Sequence, residues 1–242
     1  MTQELQEAAI EFALLAGLCL LAAILCRGRV KWPWIAAAWG SFVVYHVASS
    51  QAYGYLPRPD FIDSPWNWEG YIWALLALAV MSLLVFARSP SEAGLSFRQS
   101  GPAPRAAAGV SVLLMAALFY AATRLPGGFE GDWDAIAFQI SMPSIAEEWM
   151  YRGLLLAALD RAFGRPLRVL GPSLGWGAAI AAAMFGAAHL VGWSEAGIVW
   201  NWAHAGYTGG AGLLLVWIRA ASGSLVWPVA IHGGGNAIFY IV

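Results

Sequence analysis

The stretch Ile145-Ala146-Glu147-Glu148-Trp149-Met150-Tyr151-Arg152-Gly153 decides how this chain is read. Three ionised side chains fall within six residues, inside an apolar run from about Ala135 to Leu159. A run of that length has the dimensions of a membrane-spanning helix, because ~20 apolar residues cross the hydrocarbon core of a bilayer. Each charge near the centre of such a helix costs ~2.5 kcal/mol or more on insertion scales, so all three need partners or water. On a helix Glu148 and Arg152 stand at i, i+4 with the acid N-terminal to the base, the favourable order for an ion pair. Glu147 is turned ~100° from its neighbour and lacks this local counter-ion. One carboxylate is tied and the next is left available for chemistry.

The rest of the chain agrees with a membrane setting. Of 242 residues, 60% are hydrophobic and only 11% are charged, and several further apolar runs approach the length of a span. These values predict an all-α, polytopic transmembrane helix bundle of about eight spans, near 9-26, 34-51, 70-87, 106-123, 135-159, 174-192, 197-218 and 223-241. Residues 1-105 hold spans without motifs, residues 106-242 hold the candidate catalytic core, and the whole is one integral membrane domain. The short connections are rich in turn residues, as at Leu56-Pro57-Arg58-Pro59-Asp60 and Gly101-Pro102-Ala103-Pro104. A net charge of -1 gives no basis for binding nucleic acid. Cys19 and Cys26 lie two turns apart in the first run and read as packing residues. The N-terminal segment has Glu4, Glu7 and Glu11 but no base, so the first span is expected to be retained rather than cleaved as a signal.

Charge distribution sets an expected orientation. Ten of thirteen Lys and Arg residues occupy alternate connections: Arg27, Arg29, Lys31, Arg88, Arg98, Arg105, Arg161, Arg165, Arg168 and Arg219. The intervening connections hold only Arg58 and Arg124, among acids such as Asp60, Asp63, Glu130 and Asp132. By the positive-inside rule the basic connections are cytoplasmic and both termini lie outside, in a bacterial inner membrane. His46 reads as a hydrogen-bonded packing residue, and the aromatic cluster Pro65-Trp66-Asn67-Trp68 with Tyr71 and Trp73 as an anchor at headgroup level.

Three late segments each present a polar or aromatic pair at one-turn spacing: Glu148/Arg152 with Glu147 beside it, Phe185/His189, and His232/Asn236. Unpaired polar groups are expensive in lipid, so these helices should face one another around a wet cavity. The triple glycine Gly233-Gly234-Gly235 predicts tight packing there. Glutamate and imidazole together can polarise water, while a second histidine and an amide can donate to a developing oxyanion. Such parts suit hydrolysis of an acyl bond without a covalent intermediate.

At these residues the sequence resembles the CPBP family, the second type of CAAX-prenyl endopeptidases and their bacterial, Abi-like relatives. The resemblance is carried by Glu147-Glu148-x-x-x-Arg152, Phe185-x-x-x-His189 and His232-x-x-x-Asn236, in that order, and extends over about residues 92-242. It implies an intramembrane endopeptidase acting on a membrane-anchored protein or peptide. Glu147 would be the general base, assisted by His189; His232 and Asn236 would stabilise the oxyanion. Glu148, Arg152 and Phe185 would support them. His204 has no counterpart in these motifs and stays outside the catalytic set.

Zinc is the competing account, since Glu147, His189 and His232 could supply the three ligands of a catalytic site. No His-Glu-x-x-His is present, and the four-group account uses every polar residue, so no cofactor is the preferred expectation and zinc the alternative. Two non-proteolytic readings compete. A proton-coupled transporter predicts an internal repeat that the sequence lacks, and a non-catalytic immunity or binding protein would not need intact motifs.

Overall fold

The structure, a computed structural model, describes residues 3–26, 30–50, 63–87, 89–124, 132–195 and 197–240. The turn at residues 56–60 and the residues Arg27, Arg29, Arg58, Arg88 and Glu130 lie outside them. Helices dominate: α1 (Gln3–Leu25), α2 (Trp32–Ser49), α3 (Trp68–Phe86), α4 (Pro104–Ala122), α5 (Trp133–Glu148), α6 (Leu156–Phe163), α7 (Trp176–Ala187), α8 (Trp202–Ser222) and α9 (Val226–Ala237). The chain folds as an all-α membrane helix bundle. By length and composition Leu5–Leu25, Trp68–Phe86 and Pro104–Ala122 can each cross a membrane unaided.

Helix ends follow local chemistry. Asn67 caps α3 by accepting from Gly70 N at 3.0 Å, and its amide donates to Ser49 O at 2.9 Å, which ties the end of α2 to the start of α3. Asp132 caps α5 through Ala135 N at 2.9 Å. Pro33 and Pro104 stand at helix starts, where a missing N–H leaves nothing unsatisfied.

Two departures from the expected spans matter. The sixth, 174-192, shrinks to α7, whose 12 residues rise only ~18 Å against a core of ~30 Å. The chain then forms an antiparallel hairpin of β3 (Val191–Ser194) and β4 (Gly197–Trp200), in register Val191↔Trp200. Part of the expected seventh span is therefore strand, and its helix α8 starts at Trp202. Gly192, Gly197 and the β-branched Ile198 and Val199 favour the hairpin over a helix.

The second departure lies in the charged stretch itself. Between α5 and α6 the residues Trp149–Leu155 form a π-helical segment, so the long element is not a regular α-helix through its charges. Upstream, Pro143 inside α5 cannot donate to Gln139, and the Ser144 hydroxyl takes that carbonyl at 2.7 Å. Helices α5 and α9 then meet closely at Gly233, where a Cβ would lie 2.7 Å from Ile140 O and 2.9 Å from Ser144 Oγ. Only glycine allows that approach, as the triple glycine predicts.

Candidate active site

The approach of α9 to α5 sets the lower layer of the site. Glu148 and Arg152 are fully buried, and Arg152 Nη1 donates to Glu148 Oε1 at 2.8 Å. His232 Nδ1 lies 2.9 Å from the same oxygen. A carboxylate only accepts, so this contact places the proton on Nδ1. The Arg152 guanidinium also sits 3.9 Å over the Phe185 ring, a cation–π contact that shields it from lipid. Phe185 in turn packs edge-on to His189 and to His232. The three supporting residues thus form one sealed layer.

Above it lies a cavity of about 430 Å³ lined by Glu147, His189, His232 and Asn236. Three separate segments bring these four together: the end of α5, the turn after α7, and α9. Glu147 Oε2 stands 3.9 Å from His232 Nε2, close enough for attraction and too far for a hydrogen bond. His189 Nδ1 is 2.9 Å from Phe185 O, a carbonyl that only accepts, so Nδ1 carries the proton and the Nε2 lone pair remains for another partner.

Several lining residues come from outside the motifs, Tyr71 and His204 among them. Tyr71 on α3 donates its hydroxyl to Glu147 Oε1 at 3.0 Å. The expectation that Tyr71 belongs to a headgroup anchor is corrected here. Trp66 stacks on Phe138 of α5, Trp68 Nε1 donates to Asp134 Oδ1 at 3.1 Å, and Tyr71 points into the site. Aromatic residues at a span end carry no sequence mark that separates lipid-facing from cavity-facing, and only the α3–α5 packing decides it. The N-terminal spans therefore contribute to the site despite having no motif. His204, left outside the catalytic set, also lines the cavity, with its ring centroid 5.1 Å from that of His189. Its one sequence signal was being polar at the start of an apolar run. His46, by contrast, does not line the cavity and pairs with Glu11 at 3.0 Å.

A second, mostly apolar cleft of about 290 Å³ adjoins the cavity and shares His189, His204, His232 and Asn236 with it. Leu114 and Leu118 of α4, Leu214 and Leu215 of α8, and Ile231 of α9 form its walls. As for metal, among the described residues no group of three His, Cys, Asp or Glu side chains is placed to hold an ion. His232 Nδ1 and Glu147 Oε1 are held by Glu148 and Tyr71, which leaves His232 Nε2 and Glu147 Oε2 on the cavity side.

Residues 128–238, just under half of the chain, match the family model of Rce1-like type II CAAX prenyl endopeptidases. The matched region contains every motif residue from Glu147 to Asn236, so the family resemblance read from the motifs is borne out. No curated protein and no solved structure matches the chain.

Proposed function

We propose, from this Rce1-like match and the cavity around its motif residues, that the chain is a metal-independent intramembrane endopeptidase. Its substrate is a membrane-anchored protein or peptide whose apolar portion occupies the cleft between α4, α8 and α9, with the scissile bond at the shared histidines. The observation that carries the reading is the convergence of Glu147, His189, His232 and Asn236 from three segments on one cavity beside that cleft.

Each group has a task that its contacts suit. Glu147 accepts a proton from water as the water attacks the carbonyl carbon, and later returns it to the leaving amine. His189, with Nδ1–H directed at Phe185 O, offers its Nε2 lone pair to the same water. His232 and Asn236 donate to the oxyanion. For His232 this requires a proton on Nε2 as well, the nitrogen 3.9 Å from Glu147 Oε2. Tyr71 is a positioning residue that holds Glu147 Oε1 and leaves Oε2 toward His232.

The cavity lies toward the ends of α3 and α9 that are remote from the basic connections, lined there by Tyr71 and Tyr240. With those connections cytoplasmic, it opens outward, and both termini are outside. The test is cleavage of a fluorophore–quencher peptide ending in a farnesylated CAAX-type tail by the full chain in liposomes. Turnover by the wild type and none by Glu147→Ala, at equal folded protein, is the expected result. Equal turnover by both would overturn the reading.

A further inference from the structure

At the opposite, basic end of the bundle lies another cavity, of about 780 Å³, lined by Lys31, Arg161, Arg165 and Arg168, with Asp160 as its acid. The cations come from different elements. Lys31 precedes α2, Arg161 belongs to α6, Arg165 follows it, and Arg168 sits on β1 (Leu167–Arg168), which pairs with β2 (Ser173–Leu174). Backbone bonding of Lys31 N to Ala162 O at 3.1 Å fixes the rim.

Their charges are only partly met. Arg161 is committed to Glu92 at 2.6 Å and lies over the Trp34 ring at 4.2 Å. Arg165 reaches Asp160 only at 3.9 Å. Lys31 and Arg168 have no acidic partner among the described residues. Four cations thus share two carboxylates around one space, and an entering anion would relieve their mutual repulsion.

Beside this cavity the β1–β2 hairpin exposes apolar side chains. At the tip of the β1–β2 hairpin Leu167, Val169 and Leu170 are 64%, 39% and 84% exposed. Leu170 adopts a φ of 50°, a left-handed conformation that disfavours a side chain, and is the most exposed of the three. Trp217 Nε1 donates to Val169 O at 3.0 Å and pins the hairpin to α8. Exposed leucines beside a group of cations are the arrangement of a segment seated at the boundary of headgroups and acyl chains.

We infer that this cavity binds the phosphate of an anionic phospholipid headgroup, with the tip of the β1–β2 hairpin set among the adjoining acyl chains. Free phosphate would meet the same cations but gain nothing from Leu170, whereas a phospholipid engages both. The site is separate from the proposed catalytic cavity, and its test does not require peptidase activity.

Native mass spectrometry of the full chain in neutral detergent, titrated with dioleoyl-phosphatidylglycerol or dioleoyl-phosphatidylcholine, reads the retained lipid. Thermal melts with inorganic phosphate run in parallel. The phosphatidylglycerol adduct should persist where phosphatidylcholine is lost, and inorganic phosphate should leave the melt unchanged. Lys31→Gln with Arg168→Gln should weaken the phosphatidylglycerol adduct about 25-fold, at roughly fivefold per cation. Leu170→Ser should weaken it while leaving the cations in place. If the double variant fails to fold, Arg168→Gln alone, at an exposed position, carries the test with a fivefold expectation. Equal retention of the two lipids, unchanged affinity in the folded variants, or full protection by inorganic phosphate alone would each overturn the inference.

Discussion

Glu147 and Glu148 are adjacent in the chain and live in opposite surroundings. Glu148 lies in a dry layer, fully buried, with Arg152 Nη1 and His232 Nδ1 both on its Oε1. Glu147 faces a cavity, held from one side by a tyrosine and 3.9 Å from the far nitrogen of the same histidine. One residue type meets two environments because one position shares an oxygen with two buried partners and the next leaves an oxygen facing the cavity. His232 joins the layers, with Nδ1 in the sealed one and Nε2 toward the open one. Variants at the two positions should therefore fail in different ways.

The largest effect belongs to the open layer. Glu147→Ala and His189→Ala should each lower turnover ~100-fold or more, the range of general acid–base contributions. Both should insert and purify like the wild type, since loss of a cavity-facing group leaves no charge stranded. In the sealed layer Glu148→Gln or Arg152→Ala leaves a buried charge without its partner, at a cost of ~3–5 kcal/mol. Reduced yield and a lower melting temperature should accompany their loss of activity. Activity and thermal melts, measured together on the four purified variants, check the contrast. Identical behaviour of Glu147→Ala and Glu148→Gln in both assays would dissolve it.

A smaller effect tests the link to the N-terminal spans. Tyr71→Phe removes only the hydroxyl that orients Glu147. It should reduce kcat by ~10-fold, about 1.4 kcal/mol, near the lower end for one hydrogen bond to a charged group, with KM unchanged. A changed KM with intact kcat would instead place Tyr71 in substrate binding.

That link marks the limit of what the sequence discloses. Glu147, Glu148, Arg152, His189, His232 and Asn236 are legible because ionisable groups in apolar runs are costly, and their one-turn spacing predicts shared faces. The Glu148–Arg152 pair and the close approach at the triple glycine follow from that spacing. What spacing does not show is which helix comes alongside. Tyr71 is one of many aromatic residues near a span end, and only the packing of α3 on α5 turns it toward Glu147. The same holds for His232, whose pairing with Asn236 along one helix conceals its bond to Glu148 on another. The π-helical segment was equally hidden, because the residues Trp149–Leu155 have nothing in their pattern that α-helix excludes. The short α7 and its hairpin were obscured by apolar residues that suit a strand as well as a span.

The smallest effect lies at the far end of the bundle, away from both layers. Burial pushes the Asp160 carboxyl up to about 7, with Arg165 and Arg219 pulling the other way. A folded-state value raised above the unfolded one means that stability is full at low pH and is lost as pH rises through about 7. Asp160→Asn is exempt from that loss. The melting temperature of the variant relative to the wild type should therefore rise from pH 5 to pH 8, by about 3 °C or more. A constant difference across that range would show that Asp160 titrates as an exposed acid.

The central claim is that Glu147 activates water without a metal. Elemental analysis of active wild-type and His232→Ala protein, beside cleavage of the farnesylated peptide after prolonged chelation, tests it most directly. The account predicts no stoichiometric zinc in either protein and undiminished wild-type turnover after chelation. Zinc near one equivalent in the wild type, absent from His232→Ala together with activity, would contradict it.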